Sequence, residues 1–155
     1  VNEVEYGLAR RLAEDLGRLG AEALLAGPGL ERLYTALSGG EALSAAALDQ
    51  AARAGSPVAQ QVIEVFTRWL GRFAGNLALS VGARGGVYLA GGILPAWGPL
   101  FDPAVFREGF EDKGEFSHWM RQIPVYLIVH PQPGLLGLAS YAGEAGRHST
   151  TARVS

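Results

Sequence analysis

Two glycine clusters and one glutamate are the residues here whose type and spacing could do chemistry. Leu89-Ala90-Gly91-Gly92-Ile93 closes an apolar run with paired glycines. Glycine removes the side chain and admits positive φ, so a nucleoside or phosphate could lie there against bare backbone and meet N–H donors. At the carboxyl end of a strand in an open α/β sheet, such a turn faces the ligand crevice; a plain strand-to-loop turn has the same sequence. No Gly-Lys-Ser/Thr follows, so it is not a P-loop, and no third glycine opens a helix as in the dinucleotide fingerprint. Gly27-Pro28-Gly29 stands just before a helix. Helix N-termini take anions through their N–H groups and macrodipole, although an ordinary helix start is the simpler account. Glu22 lies five residues before that cluster. A carboxylate accepts hydrogen bonds from sugar hydroxyls, and bonds to an ionised group are roughly twice as strong as neutral ones; a lone glutamate is otherwise a solvated surface residue.

The remaining polar residues carry less. His130, beside Pro131, reads as a structural histidine bonded to a loop carbonyl, and His118 and His148 read as exposed. Glu111, Asp112, Lys113 and Glu115 form a mixed-sign solvated turn, and Asp102 before Pro103 reads as a helix cap or a turn. No His/Asp/Glu cluster has metal spacing and no Gly-x-Ser-x-Gly elbow is present.

The elements that must position these groups follow from periodicity. Asn2 and Glu5 have capping-box spacing, and Val4, Leu8, Leu12 and Leu16 recur every four residues, predicting a helix over residues 3–18. A linking segment, 21–26, leads to a helix over 30–37, and an alanine-rich helix covers 44–53. Gly55-Ser56-Pro57 announces the longest helix, 58–81, with Pro at a favourable first-turn position. Val62, Phe66, Trp69, Phe73 and Leu77 share one face as core, while Gly71, Ala74, Gly75 and Ala78 form a small-residue seam for a second backbone. Val87–Ala90 and Val125–Val129 are near-continuous apolar runs, the pattern of parallel strands buried on both faces. A turn over 91–99 and helical pieces over 103–110 and 116–120 connect them in a βαβ unit. Pro133 starts a last helix to Ala145, and 148–155 form a polar, frayed tail.

The 155 residues, 18% of them charged and with a net charge of −2, favour one globular domain and lack the basic stripe of a nucleic-acid binder. Glycine, at 22 residues, is about twice its usual share of roughly 7%. No apolar run is long enough to span a bilayer. The absence of cysteine excludes disulfides and thiolate metal sites and fits a cytoplasmic location. Two strands are few for a sheet that averages roughly 5–6. That shortage, with the chain opening flush on a helix, predicts a portion of a longer polypeptide.

Taken together, six segments resemble the bacterial glucokinase family. They are Glu22–Leu30 with Leu33-Tyr34, Gly71–Leu79, Gly85–Ile93, Phe110–Gly114, Ile123–His130 and Pro133–Gly137, in the family's order and spacing across nearly the whole chain. The stretch from Leu43 to Arg53 and the tail after Gly146 match least. The resemblance implies an α/β, ribonuclease-H-like (actin-like) kinase fold with helices on an incomplete mixed sheet. Residues 1–147 would be the C-terminal portion of its large domain. It also implies that Glu22 binds glucose hydroxyls, that Gly91 and Gly92 are the adenosine motif, and that Gly27 lies near the nucleotide. Glucose and ATP would be the partners, with no nucleic acid or membrane, and a homodimer is expected from the family. The family's Asp-x-Gly-Gly-Thr and Glu-x-Gly-Gly-His segments, its second phosphate-binding glycine segment and its catalytic aspartate have no match here. The catalytic base and the Mg²⁺ ligands are therefore expected outside these residues, and the chain alone is expected to be inactive. The competing reading is a non-catalytic nucleotide- or sugar-binding module acting through protein–protein contacts; a kinase for another hexose is a third.

Overall fold

The computed structural model describes residues 3–17 and 20–149. Helix α1 spans Glu3–Leu16, α2 Ala21–Leu24, α3 Gly27–Ser38, α4 Ala45–Arg53 and α5 Pro57–Ser80. Side-chain caps fix several starts. Ser44 Oγ accepts from the Ala47 N–H at 3.3 Å, and Ser56 Oγ from the Ala59 N–H at 3.4 Å, just before Pro57. Each satisfies one of the donors that a helix N-terminus leaves without a partner. Gly39, at φ 67°, ends α3 in the left-handed conformation that a C-cap favours.

Helix α5 carries both cores. Its Val62 and Phe66 meet Leu8 and Leu12 of α1, Leu30 and Leu33 of α3, and Leu48 of α4. Trp97 closes this cluster edge-on to Phe66, with ring centroids 5.2 Å apart. Farther along α5, Ala74 and Ala78 join Phe106, Phe110, Met120 and Ile123. Phe106 and Phe110 belong to α7, Pro103–Glu111, whose cap is Asp102 Oδ1 accepting from the Ala104 N–H at 2.8 Å. The seam read from the sequence receives α7. A Cβ on Gly71 would overlap the Phe106 carbonyl, and one on Gly109 of α7 would overlap the Arg68 carbonyl. The backbones therefore touch within this chain, and that surface is not open to a second copy.

An ion network ties α1 to the same pair. The Glu5 carboxylate, 2% exposed, accepts from Arg68 at 2.9 Å and from Arg72 at 2.5 Å. Arg68 also meets Glu64 at 2.8 Å and Glu108 at 3.2 Å. Burial opposes its charge, but the bonds to Glu64 and Glu5 and the charge of Glu108 outweigh burial and raise its pKa further. Asn2, the proposed cap partner of Glu5, lies outside the described residues.

Strand β1, Val87–Leu89, pairs in parallel with β2, Val125–Leu127, in the register Val87–Val125, Tyr88–Tyr126, Leu89–Leu127. The crossover holds α6 (Ile93–Trp97), α7 and α8 (Ser117–Met120). Helix α6 occupies what reads in sequence as a turn. Pro95 sits in its first turn, where a missing N–H costs no intrahelical bond. Val87, Leu89 and Val125 pack on the second core. Tyr88 and Tyr126 stack on the other face, centroids 5.0 Å apart, and remain 63% and 48% exposed. The near-continuous strand pattern predicts cover on both faces, but the described residues cover one. Helix α9 runs Pro133–Ser149, past the predicted end at Ala145, and residues 150–155 of the expected tail lie outside the described residues.

Candidate functional site: a glycine-floored cleft

The fold brings the two glycine clusters together. A cleft of about 760 Å³ runs between the start of α3, the second half of α5, β1 and the turn into α6, and Gly27, Gly91 and Gly92 all line it. The residues that follow β1 and the N-terminal turn of α3 line the same cleft. Gly91 sits at φ 139°, in the positive region that favours glycine. Gly92 lies at φ −83°, ψ −21°, and a Cβ on it, or on Gly27, would meet nothing within 4 Å. Gly27 and Gly92 thus differ from Gly29, Gly71 and Gly109, whose hydrogens are demanded by neighbouring backbone. Among the described residues no contact accounts for glycine at 27 or 92.

The opposite wall is apolar. Phe73, Leu77 and Val81 of α5 line the cleft and are 39%, 51% and 76% exposed. The sequence reading placed Phe73 and Leu77 in the core with Val62 and Phe66; only the latter two are buried. Among the described residues, no Asp, Glu, Lys, Arg or His lines the cleft. Bare peptide on one side and hydrocarbon on the other suit the flat face of a base and its sugar. They offer no charge to a polyphosphate, which needs cations or a dense set of N–H donors.

Glu22 is not among the lining residues. It is exposed on α2, three positions before Leu25 at the cleft's edge, and has no hydrogen bond or ion pair among the described residues. The Arg32 Nη1 donates to the Ala23 carbonyl at 2.8 Å, and Gly29 admits the Leu24 backbone. Neither role is visible in sequence, because both are set by how α2 folds back onto α3.

His130 Nδ1 accepts from the Gln132 N–H at 3.1 Å, a backbone donor in place of the expected carbonyl. The charge group after α7 is more ordered than a solvated turn. Glu111 pairs with Arg107 at 2.6 Å and Arg121 at 3.5 Å. Lys113, the chain's one lysine, is half-buried and donates to the Gly109 carbonyl at 3.1 Å. Burial lowers its pKa; Asp112 opposes that shift and Arg72 adds to it. Among the described residues no group of three or more His, Asp or Glu could hold a metal ion, and no helix is long and apolar enough to cross a membrane.

Comparison with known proteins gives the geometry its context. The sequence model of the glucokinase family matches residues 1–145. Glucokinases of Yersinia pestis and Yersinia pseudotuberculosis are 42% identical over 146 aligned positions, covering 90% of this chain and 45% of theirs. The crystal structure of a glucokinase from an Antarctic psychrotroph superposes with a TM-score of 0.83 at 32% identity, over 90% of this chain and 45% of that one. The chain thus spans a little under half the length of the relatives it matches. Its helices on a small parallel sheet are part of the ribonuclease-H-like, actin-like sugar-kinase fold. With the match running from α1 into α9, the chain belongs to the glucokinase family.

Proposed function

We propose that this chain is the C-terminal portion of the large domain of an ATP-dependent glucokinase, acting in the cytoplasm. The observation that carries the proposal is the convergence of Gly27, Gly91 and Gly92 on one uncharged, apolar-walled cleft. In this reading the adenosine of ATP lies on the main chain of residues 90–92. Phe73 and Leu77 exclude water from its other side, and the start of α3 borders it. Glu22 accepts hydrogen bonds from glucose hydroxyls and so fixes the sugar relative to the nucleotide.

The reaction is attack of the glucose 6-oxygen on the γ-phosphorus of ATP. A new O–P bond forms, the bond to the β-phosphate oxygen breaks, ADP leaves, and the 6-hydroxyl proton passes to a base. Such transfers depend chiefly on positioning and charge stabilisation. This chain would supply positioning: one site for the base and ribose, one carboxylate for the sugar. The base and the charge stabilisation are assigned to the part of the family's length that this chain does not span. Among the described residues no group of three or more His, Asp or Glu could hold a metal ion, so the ligands for Mg²⁺ are assigned to the same part of the family's length and no step is derived through it.

The test is a coupled assay with glucose and ATP on protein from the complete reading frame that encodes this chain. Formation of glucose 6-phosphate and ADP in equal amounts is expected, with no product from the 155-residue chain alone. No turnover of any hexose by the complete protein would overturn the proposal. ATP or sugar binding without turnover would favour the non-catalytic module.

A further inference from the structure

Helix α2 is a single turn of four residues, Ala21–Leu24, with no side-chain cap at Gly20 and no buried residue of its own. One helical turn is not stable in isolation, because nucleation fixes several dihedrals for one hydrogen bond. Its orientation must come from what it leans on, which is the first half of α3. Gly29 makes close approach possible, since a Cβ there would overlap the Leu24 carbonyl. That contact sets the distance between the two elements, but a glycine hydrogen offers no directional bond. Direction comes from Arg32, whose Nη1 donates to the Ala23 carbonyl at 2.8 Å from nine residues away. Ala23 is next to Glu22, and its carbonyl lies at the negative end of the turn, where a guanidinium is favoured.

The Glu22 side chain itself is tied to nothing among the described residues. The place of its carboxylate is therefore governed by its backbone, and its backbone by the Arg32 bond. We propose that Arg32 is a positioning residue for Glu22, holding the α2 turn so that the carboxylate meets the sugar; this rests on the glucose-binding reading of Glu22 given above. Arg32 does not touch substrate. It acts through one carbonyl, so its loss changes sugar affinity and leaves the nucleotide cleft, which it does not line, intact.

The experiment is a double-mutant cycle on protein from the complete reading frame, with KM measured separately for glucose and ATP. Arg32→Met keeps the aliphatic stem and deletes the donor; Arg32→Lys restores one donor. Arg32→Met is expected to raise the glucose KM about tenfold, the worth of a hydrogen bond to a charged group, with the ATP KM unchanged. Glu22→Ala should raise the glucose KM at least as much, the double variant no further than Glu22→Ala, and Arg32→Lys should recover most of the loss. If Glu22→Ala raises the glucose KM while Arg32→Met does not, the positioning role is wrong and the sugar role of Glu22 stands. An Arg32→Met that raises both KM values, or multiplies with Glu22→Ala, marks a merely structural residue and overturns the proposal. If Glu22→Ala leaves the glucose KM unchanged, the underlying reading fails and takes this one with it. Should Arg32→Met not fold, the same cycle with Arg32→Lys decides: a smaller glucose-only effect, absent in the Glu22→Ala background, is expected, and additivity overturns it.

Discussion

Gly92→Ala separates a ligand role from a folding role more cleanly than any other change in the cleft. Gly92 has right-handed helical dihedrals, φ −83° and ψ −21°, which alanine adopts without strain. A Cβ built there meets nothing within 4 Å. Removing glycine's freedom from the unfolded chain at such a site stabilises by about 0.4–1 kcal/mol, so the ligand-free protein should melt at the same temperature or slightly higher. With a nucleotide against the main chain, the new methyl occupies the layer that the ligand fills at about 3.5–4 Å. Overpacking of that kind costs about 1–3 kcal/mol, equivalent to a rise of about 5- to 150-fold in KM for ATP. The assay is initial rates against ATP at saturating glucose, beside a thermal melt without ligand. An unchanged ATP KM in a normally folded Gly92→Ala protein refutes the reasoning, because no ligand then lies where a methyl group does. Gly91→Ala is a poorer probe, since φ 139° would strain the backbone whether or not a ligand binds.

Other consequences concern the scaffold. Glu5→Ala removes the carboxylate between Arg68 and Arg72. Breaking a buried pair costs about 3–5 kcal/mol, but these arginines keep Glu64, Glu108 and Asp112 and some solvent, so a loss of about 2 kcal/mol is expected in urea unfolding; no loss would show that the network does not hold α1. Gly109→Ala drives a methyl into the Arg68 carbonyl and should cost at least about 2 kcal/mol, whereas Gly27→Ala should leave stability nearly unchanged; equal effects would contradict the α5–α7 packing. Lysine-selective NMR, with Lys113→Arg assigning the resonance, should show Lys113 titrating below the usual 10.5. Between the two pKa values the unfolded chain binds more protons, so unfolding free energy should rise with pH there, and less so in Lys113→Arg. A titration at or above 10.5 would contradict its burial.

The parts of this fold that follow local rules are legible in the sequence. Gly55-Ser56-Pro57 announces α5, Asp102 is the cap of α7 that one of its two readings expects, and the two apolar runs form a parallel pair. Gly71 and Gly75 read correctly as a seam, but not as one filled by α7, because the matching Gly109 lies far along the chain. Residues 91–99 read as a turn, yet Pro95 falls in the first turn of a helix, where its missing N–H breaks no bond. Phe73 and Leu77 share the periodicity of Val62 and Phe66, and periodicity cannot say where along a 24-residue helix the cover stops. At the site, Gly91 and Gly92 stand out because glycine after a strand is unusual chemistry. Gly27 is singled out too, as part of a cluster before a helix, but the sequence does not separate it from Gly29, the residue that packing demands. Arg32 is invisible beforehand, because a bond to a main-chain carbonyl leaves no residue-type signature at its acceptor.

The most direct test is a structure of the protein from the complete reading frame with glucose and a non-hydrolysable ATP analogue. The account predicts adenosine resting on the main chain of Ala90, Gly91 and Gly92, and a Glu22 carboxylate oxygen at hydrogen-bonding distance from a glucose hydroxyl. A nucleotide bound elsewhere, or a hexose held without Glu22, would contradict it.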